Sequence, residues 1–201
     1  MCESHRVDLM LLRIFQRQVA FQLNALLDAH AGLVAALGQQ NMDEVWFAVE
    51  HLLSAAANAS KALWGQGAAT NAARKSLRES LGVSDASPLS ERRMRNHFEH
   101  YDERLDEWWE KSPNHNIADR NLAPVGGIAG LDRLSMFRQL DPMTMEVIFW
   151  GETFNIPEIV AEASRLLPIA AKEAAKATLG ALEPDVCGPV CGPVDGRFRP
   201  V

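Results

Sequence analysis

The stretch Arg93-Met94-Arg95-Asn96-His97-Phe98-Glu99-His100-Tyr101 crowds ionisable side chains onto a segment that must also pack, and its reading decides the rest. Met94, Phe98, Tyr101, Leu105 and Trp108 recur at spacings of four and three. That is one apolar helix stripe, so the sequence predicts a motif helix from Ser90 to Lys111, with Ser87 at the cap and Pro88 at the first position. At about 100° per residue, Asn96 and His100 fall together off the stripe, flanked by Arg93, Glu103, Arg104 and Glu107. An amide, an imidazole and guanidiniums on one helix face are suited to binding or cleaving a phosphodiester. The same residues also fit a polar helix flank with no special task. On a regular helix Arg95 and His100 differ by about 140°. A helix irregularity, the reach of the arginine or a second chain must therefore bring them together.

Downstream, Ser112-Pro113-Asn114 breaks the helix. An irregular stretch to about Gly130 follows, carrying His115, Asn116, Asp119, Arg120, Asn121 and the Gly126-Gly127 pair. Two short runs, Ser135 to Leu140 and Thr144 to Trp150, joined through Asp141-Pro142-Met143, predict a β-hairpin. Two strands alone are marginal in water, so the hairpin is expected to pack on a helix or pair with a partner chain. Asn155-Ile156-Pro157-Glu158 has the spacing of a capping box and opens the last helix, expected to reach about Leu179 with a kink at Pro168. From Leu182 Pro and Gly dominate and Val-Cys-Gly-Pro occurs twice in tandem. Residues 182–201 read as a disordered tail on a single helical domain spanning 1–181.

Upstream, Ala68 to Gly82 reads as a shorter helix with Arg74, Lys75 and Arg78 on one side. That side is either a solvated face or a phosphate-contacting lip beside the motif helix. Asn41-Met42-Asp43-Glu44 caps a long helix to about Trp64, closed by Gly65. Leu12, Phe15, Val19, Leu23, Leu26, His30, Leu33 and Leu37 mark another from Val7 to about Leu37, with His30 as a core or interface histidine. The fold class is mainly α: an antiparallel bundle of four to five helices with a small β-hairpin, about 135–150, before the last helix.

The chain has 201 residues, 47% hydrophobic and 23% charged, enough for one packed domain with appendages. Its formal charge of -6 argues against broad coating of nucleic acid, which needs a basic face, though not against a local basic groove. Cys2, Cys187 and Cys191 are an odd set outside the expected core. They suit a reducing, cytoplasmic setting better than a disulfide framework, and they do not make a zinc site. No uninterrupted run approaches the roughly 18 apolar residues of a membrane span. No membrane, metal or cofactor is expected.

The Arg95-Asn96-x-x-x-His100 spacing, late in an all-helical N-terminal half, resembles the signature of the HEPN superfamily. The order of elements from Val7 to Lys111 is similar to its architecture as well. The resemblance implies a homodimer whose two motif helices meet across a two-fold axis. Many members are metal-independent endoribonucleases of toxin or defence type; others bind a nucleotide or a protein partner without catalysis. Carried over by position, His100 is the acid–base residue, Arg95 stabilises phosphate charge and Asn96 orients phosphate or His100. Arg93, Arg104, Arg74, Lys75 and Arg78 are the candidate RNA contacts. The partners implied are RNA, a second copy of the chain and a protein antitoxin or inhibitor. Where some members carry a modified Tyr two residues after the His, this chain has Asp102, so that control is not transferred.

Overall fold

The computed structural model describes residues 2–91, 93–124, 127, 130 and 135–176, apart from the side chains of residues 2–8 and of Arg95. The tail, with Cys187 and Cys191, and Gly126 of the glycine pair lie outside the described residues. The fold is mainly helical, with a small sheet inserted before the last helix.

Two long helices, α1 (Cys2–Gly38) and α2 (Met42–Trp64), form a hairpin whose stripes face each other. Val19, Leu23, Leu26 and Leu33 of α1 and Val45, Val49, Leu52 and Leu63 of α2 have no exposed surface. Residues this apolar at spacings of three and four must bury that stripe, at about 1.5–3 kcal/mol per side chain. Asn41 caps α2 as its sequence implies: its Oδ1 accepts from the Glu44 backbone N–H at 3.4 Å. Gly65 ends α2 at φ 64°, and a Cβ there would stand 2.6 Å from the Cβ of Thr70, so only glycine fits. By length and mean hydropathy, Leu9–Gly38 of α1 does reach the level of a membrane-crossing helix. Polar residues interrupt every apolar run of this helix, but the Ala and Leu between them keep the average high. The core stripe of α1 is buried within the fold.

The helix expected over Ala68 to Gly82 is two, α3 (Ala68–Ala73) and α4 (Lys75–Leu81), separated at Arg74 with φ -90° and ψ 0°. The motif helix is likewise divided, into α5 (Arg93–Glu99) and α6 (Tyr101–Lys111). Ser87-Pro88 opens a separate 3-10 turn, Pro88–Ser90, rather than the motif helix. The Ser87 hydroxyl makes no cap bond there because it donates to Glu162 Oε1 at 2.8 Å.

The expected hairpin is present but belongs to a four-stranded sheet of order β1-β2-β3-β4: β1 (Asn121–Leu122), β2 (Arg138–Asp141), β3 (Glu146–Phe149) and β4 (Glu152–Asn155). β1 pairs parallel with β2, while β2–β3 and β3–β4 are antiparallel. Trp150, read from sequence as strand, sits in the two-residue turn before β4 at φ 45°, with Gly151 at φ 84°. Phe137 and Phe149 are fully buried and join the sheet to the motif segment. The Tyr101 and Phe98 rings meet them edge-on at 5.5 and 5.2 Å.

Asn155 caps α7 (Ile156–Ala174), accepting from the Glu158 N–H at 3.0 Å. Pro168 lies within α7 and the helix continues past it. The helix ends at Ala174, short of the expected Leu179, where two side chains of α1 hold its last carbonyls. Arg13 Nη1 donates to Glu173 O at 3.0 Å and Arg17 Nε to Ala174 O at 3.4 Å. Cationic donors at a helix C-terminus satisfy orphan carbonyls and oppose the dipole.

Candidate functional site

His100 is where the motif helix bends. Its φ of -107° and ψ of 41° leave the helical region, yet the hydrogen-bond thread runs on through it. Its N–H donates to Asn96 O and its carbonyl accepts from the Arg104 N–H, both at 3.0 Å. The bend is pinned from inside. Met94 and Trp108 are buried in the core, and Phe98, Tyr101 and Leu105 pack against it, so the apolar stripe read from sequence is the packing face. The Asn96 and His100 side chains are both exposed on the outer side. His100 Nδ1 stands 3.4 Å from Glu103 Oε1, in a pair that is more than half exposed on each side. The Arg95 side chain lies outside the described residues.

His97 takes a different role from His100. Its ring stacks on Phe149 at 5.0 Å and 14°, and Nε2 lies 3.2 Å from Glu152 Oε2. At 14% side-chain exposure it is a packing residue joining α5 to the sheet.

The cations assigned to phosphate contact divide into two groups. Arg93 and Lys75 lie at the surface and Arg104 is half-buried, all three in short-range ion pairs. Arg93 is gripped by Glu91, with Nη2 at 3.0 Å from Oε2, and that hydrogen bond raises its pKa further. Arg104 Nη1 donates to Glu107 at 2.9 Å, and Lys75 stands 3.7 Å from Glu79. Hydrogen bonds from Lys111 first and then Arg104 hold the Glu107 carboxyl below its ordinary pKa. Arg74 and Arg78 are structural. The Arg74 guanidinium lies 3.5 Å from the centroid of the Phe15 ring, joining the α3–α4 bend to α1. Arg78 is 7% exposed and donates to Leu63 O at 2.9 Å and Asn71 O at 3.2 Å, beside Asp85 at 3.2 Å. The lip expected from Arg74, Lys75 and Arg78 is therefore not a free basic face. Helix α2 needs Arg78 to satisfy a carbonyl of its last turn, and the pocket Arg78 does line holds neither Asn96 nor His100.

The most developed polar cluster was not legible beforehand. Arg138 of β2 makes a two-pronged pair with Asp119, Nε to Oδ1 at 2.7 Å and Nη2 to Oδ2 at 2.6 Å. It also lies 3.5 Å from Glu50 and 4.4 Å from the centroid of the Tyr101 ring. Burial works against its charge, but the hydrogen bonds and charge of Asp119 outweigh that and raise its pKa. Beside it opens a cleft of ≈ 320 Å³ between α2 and the motif bend, lined by Glu50, Ser54, Phe98, Glu99, Tyr101 and Arg138. Asn96 and His100 do not line it; they face outward from the same bend. The only sequence signal was Asp119 and Arg120 in a long loop. Their partners, far away in the chain, carry no local pattern.

A wider groove of ≈ 610 Å³ runs between the outer faces of α1 and α2. Among the described residues no group of three or more His, Cys, Asp or Glu is placed to hold a metal ion. Comparison with protein families, with curated proteins and with solved structures finds no match for this chain.

Proposed function

We propose that the chain is a HEPN-like protein that works as a homodimer and cleaves RNA at the Asn96–His100 bend, in the manner of a toxin or defence nuclease. In this reading the long helices and the motif segment are the antiparallel bundle of four to five helices of such a fold. One observation carries the proposal: apolar neighbours pin the bend to the core while Asn96 and His100 stand together in solvent. A polar pair that does no packing, on a segment fixed by packing, is placed as a working site requires.

The chemistry follows from the side chains. An imidazole titrates near neutrality and takes the proton of the RNA 2′-hydroxyl. The 2′-oxygen attacks the adjacent phosphorus, the bond from phosphorus to the 5′-oxygen breaks, and that oxygen receives a proton. The products are a 2′,3′-cyclic phosphate and a 5′-hydroxyl. Base and acid are two groups, so the second imidazole comes from a second copy meeting the first at the motif helix. Asn96 orients the phosphate and Arg95 neutralises its charge. Arg93 and Lys75 exchange their carboxylates for phosphates at little cost, since exposed ion pairs are worth about 0–1 kcal/mol, while Arg104 gives up a half-buried partner in Glu107. Arg74 and Arg78 do not take part.

The second reading is a non-catalytic helical dimer that binds a nucleotide or a protein such as an inhibitor. The carboxylates around the bend favour it: Glu91, Glu103 and Glu107 each face a basic side chain that RNA would need. Cleavage of total RNA in chelator, wild type against His100→Ala, separates the two. Cleavage lost in the variant supports the nuclease; equal cleavage removes His100 as the base. No cleavage by either chain, with stabilisation on adding a nucleotide, supports the second reading.

A further inference from the structure

We infer that the groove between α1 and α2 seats an amphipathic helix of a protein partner whose flanks are basic. The groove is built at helical spacing on both walls. Gln22, Ala25, Ala29 and Gly32 line one side, and Glu44, Phe47, Ala48, His51, Ala55 and Asn58 the other. Both sets recur at i, i+3, i+4 and i+7 positions, so the walls run along the helix axes. From Glu44 to Asn58 the seat is about 21 Å long, room for about four helical turns. Its floor is Ala and Gly, which lets a third backbone approach to the roughly 8–10 Å of packed helices. Phe47 rises at the rim, 61% exposed and edge-on to the His51 ring at 4.9 Å. With the Ala and Gly floor it makes one contiguous apolar strip, the kind of surface a partner covers.

Charge selects the occupant. Asp28 and Glu44 line the groove, and none of the residues lining it is Lys or Arg. A helix with an Ala/Leu face and Lys or Arg flanks meets both walls with opposite charge, and the net charge of -6 steers it inward. A second copy presenting this same face sets Asp28 and Glu44 against their like, which works against a self-association here. Ser54 lines both this groove and the cleft beside the motif bend, so the two adjoin there. The inference does not rest on the nuclease reading.

The test uses the full chain and two labelled helical peptides of about 18 residues, about five turns. Both carry one Ala/Leu face; one has Lys on the flanks and the other Glu in the same places. Fluorescence anisotropy is expected to show saturable binding of the Lys peptide only. Gly32→Leu fills the floor and is expected to weaken binding by about tenfold or more. A Cβ at Gly32 meets nothing within 4 Å and the substitution favours helix, so the variant keeps its fold. Asp28→Lys with Glu44→Lys, both exposed positions, is expected to transfer binding to the Glu peptide. Equal binding of both peptides, binding of neither, or binding unchanged in Gly32→Leu overturns the inference. So does a dimer in sedimentation that Gly32→Leu dissociates, because the groove then holds a second copy.

Discussion

Replacing Arg78 by Met keeps the apolar stem of the side chain and removes only its charged fork. Two carbonyls then lose a donor, Leu63 O in the last turn of α2 and Asn71 O in α3. A hydrogen bond from a charged group contributes about 1.5–3 kcal/mol net, and the longer, partly buried Asn71 contact belongs at the low end. The Asp85 pair adds little: that carboxylate is 86% exposed, in the class of pairs worth about 0–1 kcal/mol. Together the carbonyls account for about 3–4 kcal/mol, a large share of the roughly 5–15 kcal/mol that separates folded from unfolded chains. At about 2–4 °C per kcal/mol for a chain of this size, Tm falls by about 10 °C. Thermal unfolding followed by circular dichroism measures this, with Arg93→Met as the surface control, expected to stay within about 0.5 kcal/mol of wild type. If Arg78→Met melts with the wild type, the guanidinium is not a structural donor. If it also loses RNA affinity while folded, it is the phosphate contact that its sequence position suggested.

Further outcomes follow from the same geometry. Asn155→Ala removes the cap of α7 and lowers stability by about 1 kcal/mol in urea unfolding, with the slope unchanged. Glu107, Glu162 and Glu173 all have pKa values held below the ordinary 4.5, chiefly by hydrogen bonds from Lys111, Arg165 and Lys176 respectively. The folded chain therefore binds fewer protons than the unfolded one in this range. The stability these groups add is complete above about pH 4.5 and is lost as pH falls through their depressed values. Glu162→Gln is expected to shrink the acid-side loss in Tm measured between pH 6 and pH 3. A double-mutant cycle on Arg138→Met and Asp119→Asn is expected to give a coupling of about 1–3 kcal/mol, since the two-pronged pair is largely out of water. Simple additivity would show that the pair is incidental.

What could be read beforehand was local. The caps at Asn41 and Asn155 need only an oxygen and the third residue after it, and both are present. The stripe from Met94 to Trp108 needs only periodicity, and it is the packing face. The bends were invisible because His100 and Arg74 are ordinary helix residues, and only their surroundings turn the chain at them. β1 is two residues long and β4 is four, with polar residues around a single buried Phe154, too short for an alternating pattern to show. Arg78 looked like surface because it is charged and shares a helix side with Arg74 and Lys75; its burial comes from the end of α2, fifteen residues earlier at Leu63. The Arg138 network joins Glu50, Tyr101 and Asp119, partners that no local spacing could have connected.

The most direct measurement is the chemistry of the ends left on a short RNA after incubation with the chain. The account predicts a 2′,3′-cyclic phosphate on one fragment and a 5′-hydroxyl on the other. It also predicts no cut where the 2′-hydroxyl is replaced by hydrogen, and no products with His100→Ala. A 5′-phosphate end, or cutting of the 2′-deoxy substrate, contradicts it: the 2′-oxygen is then not the nucleophile, and the Asn96–His100 bend has some other task.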